Sequence, residues 1–409
     1  MTLKNTLKSS VAVAALFAIA APVTAEAGNI TNGKTAKLSI SGQIVKAISR
    51  LDDGASDETY ITDGDWTSSR LRWVATSKLS DATTVGGTIE MNIPQSQPAS
   101  SPNLGSPNED GATGADSAWG IRHQYVYASN KGFGKIYLGQ TSTASDGASE
   151  SSFTGTGIFA GSDGSGYGNS VLFQETTTVS NPQASTVKVS AAITNMDHSG
   201  RADVIRYDTP TFMGVKGMMS YRPSQGDVDL QLRYNEKFDD VKVRVRGGYS
   251  SYNATATKNY IVSGSMALGH DSGLHMAVAG GVTQLINDGA PNKVNAGHVS
   301  SFEAIDTAND GIDDPSFWAV TVGYNTQLMS AGKTAFSINY NETSNNVQKA
   351  NHDDNQGTSL TVAATQAISS IGTTIGVEYA HYEYDAKSGT TDNTYEDVDA
   401  LTLMTVFKF

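Results

Sequence analysis

The sequence predicts an all-β protein, a sixteen-stranded antiparallel transmembrane β-barrel, and three observations predict it. Apolar residues recur at every second position in sixteen segments, each close to the ~9–11 residues that a tilted strand needs to cross a bilayer. The links between these segments alternate between short and long, which sorts them onto two sides. The composition suits a chain in which only alternate residues need be apolar, with 38% apolar residues and 41 Gly against 10 Pro in 409 residues.

Taken in order, the chain opens with Lys4 and Lys8 before an apolar run from Val11 to Ala21, and Ala25-Glu26-Ala27 then places small residues where a signal peptidase cuts. Eleven apolar residues are too few for a membrane-spanning helix. Residues 1–27 therefore read as a cleaved secretory signal and 28–409 as one barrel domain. No later stretch is long and apolar enough for a membrane helix.

The period-two segments are 36–50, 67–79, 83–93, 118–129, 133–140, 201–209, 213–222, 227–237, 241–252, 258–269, 273–284, 316–327, 332–344, 357–368, 372–384 and 398–409. Short links such as Asn130-Lys131-Gly132, Phe238-Asp239-Asp240 and Ser330-Ala331-Gly332 fall on one side. The longer links 51–66, 94–117, 141–200, 285–315, 345–356 and 385–397 fall on the other, with two short exceptions near Pro223 to Gly226 and Ala254 to Thr257. An additional hairpin at 169–174 and 186–193 would raise the count to eighteen. An even count returns the chain to the side from which it started.

Within strands the two faces differ. Val241, Val243 and Val245 alternate with Lys242, Arg244 and Arg246, and Val228, Leu230, Leu232 and Tyr234 alternate with Asp229, Gln231 and Arg233. A charged side chain facing lipid at mid-depth costs about 2–4 kcal/mol, so the charged set faces inward and the interior is wet. Tyr125, Tyr127, Tyr207, Tyr221, Tyr234, Tyr249, Tyr324, Tyr340 and Tyr379 read on the apolar phases, where amphipathic rings suit the membrane interface.

Several chemistries are excluded. The formal charge is −13, or −14 once Lys4, Lys8 and Glu26 leave with the signal, which argues against nucleic acid as a partner. Cys is absent, so there are no disulfides, thiolate ligands or thiol nucleophiles. His123, His198, His270, His275, His298, His352 and His381 include no pair at the helical metal-binding spacing, and no Gly-x-Ser-x-Gly elbow is present. No catalytic residue, cofactor or metal site is expected. Asp52, Asp53, Asp57, Glu58, Asp63 and Asp65 in one long link, and Asp306, Asp310, Asp313 and Asp314 in another, read as solvated loops. The stretch Asp306–Gly311 departs from a calcium loop at Ala308.

Specific stretches carry a family resemblance. The last nine residues, Leu401 to Phe409, put Leu401, Leu403, Phe407 and Phe409 on one face and end on an aromatic residue. This resembles the terminal strand of outer-membrane β-barrels, which the barrel-assembly machinery reads, and it marks Phe407 and Phe409 as an assembly signal. Trp66-Thr67-Ser68-Ser69-Arg70-Leu71-Arg72-Trp73, Arg122 to Tyr127 continuing through Gly132 to Gln140, and Gly200 to Pro210 resemble the Gram-negative general porins, especially those of alphaproteobacteria. Those porins usually carry a basic residue where this chain has Gln140, so one positive charge at the narrowing is missing.

The resemblance implies an outer-membrane, water-filled channel for passive diffusion of ions and small hydrophilic solutes. It implies a homotrimer, contact with lipopolysaccharide and outer-membrane lipid, and a third long loop folded into the barrel, here 141–200. Carried over by position, Arg70, Arg72 and Arg122 form the basic side of the constriction and Asp146, Glu150 and Asp163 the acidic side. A substrate-specific channel and a surface adhesin or receptor barrel are the alternatives.

Overall fold

The computed structural model describes residues 36–64, 66–93, 104, 119–159, 161–176, 183–197, 200–253, 258–286, 314–347, 352–388 and 390–409. The signal segment 1–27, Asp65, His198, His298 and the stretch Asp306–Gly311 lie outside the described residues. The strands are β1 (Ala36–Asp52), β2 (Asp57–Thr62), β3 (Arg70–Lys78), β4 (Thr83–Asn92), β5 (Gly120–Asn130), β6 (Gly134–Ser142), β7 (Leu172–Glu175), β8 (Gln183–Lys188), β9 (Arg201–Asp208) and β10 (Val215–Arg222). They continue as β11 (Asp227–Phe238), β12 (Val241–Tyr252), β13 (Lys258–His270), β14 (Leu274–Ile286), β15 (Ser316–Met329), β16 (Gly332–Ser344), β17 (Asp353–Ile368), β18 (Thr373–Ser388), β19 (Thr391–Asn393) and β20 (Val398–Lys408).

Sixteen of these, all but β2, β7, β8 and β19, pair antiparallel in chain order, and β20 closes on β1 from Gln43↔Lys408 to Asp52↔Asp399. The result is a barrel without free edges, which is how a sheet satisfies every backbone group in lipid. Each anticipated segment matches one barrel strand to within four residues at either end. β2 and β19 are short hairpin partners of the ends of β1 and β18. The additional hairpin forms as the separate two-stranded sheet of β7 and β8, so the barrel keeps sixteen strands.

Exposure is inverted relative to a soluble protein. Leu232 and Ile338 are 64% and 54% exposed on the outer face, while the neighbouring Gln231 and Asn341 are 2% and 0% exposed inside. Lipid is the physical cover for such a face, and the inner wall is where polar groups find partners. At the short-turn end Phe133, Phe212 and Phe238 are exposed, and Tyr207 donates to the Phe133 carbonyl at 2.8 Å. Trp318 and Tyr340, with ring centroids 5.1 Å apart, stand toward the long-loop end. These are the two aromatic belts expected at a bilayer's surfaces.

Tyr125 and Tyr127 depart from the phase read in the sequence. β4 pairs Glu90 with His123 but Met91 with Ile121, so Arg122 is an extra residue in β5. A bulge of this kind reverses the alternation beyond it. Ile121 and Val126 face outward, while Tyr125 pairs with buried Thr88 and Tyr127 lies over Gly86 on the inner wall. Gln140 is the matching correction. It shares the outward face of Gln124 and Asp203 and donates to the Ile121 carbonyl at 2.8 Å, so this position does not face the narrowing.

The closing seam rests on the last residue. Gly42 N donates to Phe409 O at 2.9 Å and Phe409 N to Gly42 O at 3.1 Å. The Phe409 ring lies on Gly42, where a Cβ would stand 2.6 Å from Cζ, so only glycine lets ring and backbone meet. Phe407 and Phe409 are both exposed on the outside, with ring centroids 6.1 Å apart.

Candidate functional site

The segment between β6 and β9 folds into the barrel and meets the inner wall almost strand by strand. Ala144 N donates to Ser220 Oγ of β10 at 2.8 Å, and Ser145 Oγ to Asp229 of β11 at 2.7 Å. The Gly147 carbonyl accepts from Arg246 of β12 at 2.7 Å and the Ala148 carbonyl from Ser265 of β13 at 2.6 Å. Further on, Asn325 of β15 donates to the Phe153 carbonyl at 2.8 Å, Ser337 of β16 meets Thr156 at 2.7 Å, and Thr365 of β17 donates to the Gly155 carbonyl at 3.1 Å. Tyr167 OH reaches Met404 Sδ of β20 at 2.6 Å.

The small side chains on that wall explain the route. A buried loop must have its backbone donors and acceptors satisfied, and Ser, Thr and Asn at inward phases do this without filling the lumen. Longer cations reinforce the first turn of the path. Arg206 donates to the Ser142 and Thr143 carbonyls at 2.9 and 3.1 Å, Arg233 to Asp146 O at 3.2 Å, and Arg244 to Ser152 O at 2.7 Å. The last part of the loop is held by apolar packing, where Val171, Phe173, Val187 and Val189 bury against Leu51, Tyr382, Tyr384 and Val398, and Phe173 stacks on Tyr384 at 5.4 Å.

Because the loop follows the wall from β10 to β20, the wall of β3, β4, β5 and β9 is left facing it across water. Between them lies a cavity of about 710 Å³ lined by Arg122 and Arg201 on one side and by Asp146, Glu150, Asp163 and Asp197 of the loop on the other. Arg122, Asp146, Glu150 and Asp163 are thus brought to one cavity. Arg70 and Arg72 stand beside it, joined to Arg122 through one buried carboxylate, Glu90, which lies 3.3 Å from Arg70, 3.6 Å from Arg72 and 2.8 Å from Arg122.

Sequence reasoning missed Glu90, Asp197 and Arg201. Glu90 was visible as the charged member of an alternating strand, two residues after Thr88. Asp197 lies in the loop's end, where periodicity stops, and Arg201 opens the segment 201–209 on the phase of Ile205 and Tyr207, so alternation pointed it toward lipid.

The loop carboxylates are crowded. Burial, then the charges of Asp146 and Asp163, push the Glu150 carboxyl up to about 7. Burial followed by the charges of Glu150 and Asp146 holds Asp197 well above the usual carboxylate range, although Gly147 N donates to its Oδ1 at 2.7 Å. Burial also raises Asp163, against the opposing hydrogen bonds from Ser165. Glu150 therefore changes charge near neutral pH.

Among the described residues, the one group of metal-ligating side-chain types within reach of one another is His381, Glu383 and Asp397, away from this cavity. His381 also meets Asp399 at 2.9 Å, and these contacts form an ion-pair cluster.

The sequence model of a family described as Gram-negative porin matches residues 11–387. No curated protein matches the sequence. Among solved structures, an anion-selective porin from Comamonas acidovorans aligns with a TM-score of 0.57 at 12% identity, over 91% of this chain and 100% of that one. Salmonella typhi OmpF, in a complex with daunomycin, aligns at 0.55 and 13% identity, over 91% and 98%. OmpT, an outer membrane protein of Vibrio cholerae folded in vitro, aligns at 0.55 and 12% identity, over 93% and 100%. At such identities the likeness is one of fold.

Proposed function

The chain belongs to the Gram-negative porin family, and on that premise we propose that the charged cavity is the narrowing that decides which solutes pass. The protein is an outer-membrane porin, a water-filled barrel through which ions and small hydrophilic solutes diffuse down their gradients. The observation that carries the proposal is the opposition of Asp146, Glu150, Asp163 and Asp197 to Arg122 and Arg201 across one cavity. Opposed charges in a narrow channel set up a transverse field, and the low-dielectric wall weakens its screening. Polar solutes reorient in that field and pass; bulky apolar ones lose water contacts and gain nothing.

Arg70 and Arg72 add to the basic side through their shared contact with Glu90. The work of such a pore needs no nucleophile, cofactor or bound metal, so the protein acts as a channel and not as an enzyme. We further infer a homotrimer seated among lipopolysaccharide and outer-membrane lipid, exported with residues 1–27 as its signal and delivered by barrel-assembly machinery that reads Phe407 and Phe409. The exposed rings of those two residues on the closing seam support the last reading.

Single-channel recording in a planar bilayer tests the central proposal. Discrete ohmic steps and a reversal potential that shifts when the loop carboxylates are neutralised are expected. No current, or a reversal potential indifferent to those residues, would remove the cavity from the permeation path. Deleting Phe409 should lower the outer-membrane yield while export continues, read by fractionation. Normal yield would refute its role in assembly.

A further inference from the structure

The reversed alternation beyond Arg122 places Tyr125 and Tyr127 on the water-facing wall below the charged cavity, beside Tyr137 of β6. Tyr125 and Tyr127 of β5 meet Tyr137 of β6 with ring centroids 5.5 and 6.4 Å away, and His123 stands 6.0 Å from Tyr125. From Arg122 to Tyr127 the strand descends about 17 Å at ~3.4 Å per residue, from the cavity toward the short-turn mouth. All three rings face the lumen and not the lipid, so the interfacial role of the outer tyrosines is not open to them.

Cations accompany the rings. Lys135 Nζ sits 3.8 Å from the centre of Tyr127 and 4.4 Å from that of Tyr137, and the Arg206 guanidinium lies 5.2 Å from Tyr137. The nearby carboxylate, Asp208, is already bonded by Arg206 at 2.7 Å and by Lys216 at 2.8 Å. The local excess of charge is therefore positive. The wall is also shaped for flat groups. Tyr127 lies back over Gly86, where a Cβ would stand 2.7 Å from its hydroxyl, and Tyr125 pairs with Gly139, so no side chain stands between these rings and their glycine neighbours.

We propose that Tyr125, Tyr127 and Tyr137, with Lys135, form a binding track for small anions that carry an aromatic ring, on the lumen wall between the charged cavity and the short-turn mouth. The carboxylate of such a solute meets Lys135 while its ring packs edge or offset against the tyrosines, the arrangement that aromatic quadrupoles favour. The proposal rests on the channel reading and adds a substrate class to it. Neither element suffices alone, since a neutral ring leaves the cations unmet and a saturated acid has no π-face.

The test is block of the ion current through the full-length protein in a planar bilayer, with benzoate, cyclohexanecarboxylate or benzamide added on the short-turn side. Benzoate should block saturably, at a concentration roughly two- to tenfold below that of cyclohexanecarboxylate, the range that aromatic pairing supports. Benzamide should block more weakly than benzoate. Tyr125→Leu with Tyr137→Leu should abolish the preference for benzoate, whereas Tyr125→Phe with Tyr137→Phe should retain it. Equal block by benzoate and cyclohexanecarboxylate in the unaltered protein, which requires no variant to fold, would overturn the track and leave the channel standing. Absence of any current would overturn both.

Discussion

The wall from β10 to β20 and the wall of β3 to β6 with β9 carry different kinds of polar side chain, and the loop explains the division. On the first wall Ser220, Ser265, Asn325 and Thr365 present short donors and acceptors that the loop backbone takes up, and Ser337 meets the Thr156 hydroxyl. Even its cations, Arg233, Arg244 and Arg246, are directed at loop carbonyls. On the second wall Arg70, Arg72 and Arg122 converge on Glu90, and Arg122 with Arg201 fronts the open cavity. An arginine inside this barrel thus has one of two roles according to whether the loop passes it. Where it does, the guanidinium holds backbone; where it does not, as at Arg122 and Arg201, it fronts the cavity.

The largest expected effect comes from removing the first role. Arg233→Ala with Arg246→Ala deletes charge-assisted hydrogen bonds worth roughly 1.5–3 kcal/mol each. Amides of residues 147–151 should then exchange with solvent about ten- to a hundredfold faster, measured by hydrogen exchange in detergent. Unchanged protection would mean that the short side chains alone hold the loop and would break the distinction between the walls.

Removing the second role should leave the loop in place and alter selectivity instead. Arg70→Ala with Arg122→Ala takes two positive charges from the open wall. A charge ~10 Å from a passing ion is worth about 0.4–1.7 kcal/mol between effective dielectrics of 80 and 20. The cation-to-anion permeability ratio should rise roughly two- to tenfold and conductance should increase, most clearly in dilute salt. An unmoved reversal potential would place these arginines away from the permeation path.

The smallest effect is expected from pH. With its carboxyl raised to about 7, Glu150 is mostly neutral below that value and charged above it. The loop side therefore gains negative charge as pH rises from 6 to 8, and cation preference should strengthen by about twofold over that interval, as for one added charge that is largely screened. Glu150→Gln should flatten the dependence. A pH response that survives this change would assign the titration to another group, with Asp197 the next to replace.

Much of the fold was legible because a barrel strand carries its own record. Val228 to Tyr234 and Val241 to Arg246 alternate strictly, since every second side chain meets lipid, and that local rule located every barrel strand. The site was less legible. Arg122 faces inward as its phase required, and Asp146, Glu150 and Asp163 came to the cavity by family position. Asp197 carried no periodic signal, Arg201 stood on the apolar phase of Ile205 and Tyr207, and Glu90, though in phase, gave no sign that three arginines would share it.

The sequence by itself determined the positions of the sixteen barrel strands, the inner and outer faces of most of them, and the sidedness of most links, because these follow from a two-residue period and from lipid's intolerance of charge; whether the extra hairpin joined the barrel was left to the tertiary structure. Tertiary structure alone decided the path of the loop, since that path is chosen by hydrogen bonds to strands up to 237 residues away in the chain. It also decided the bulge at Arg122, one extra residue that reverses the alternation after it. Tyr125 and Tyr127 read as membrane-facing by their own periodicity and face water because β4 pairs with β5 out of step by that single residue.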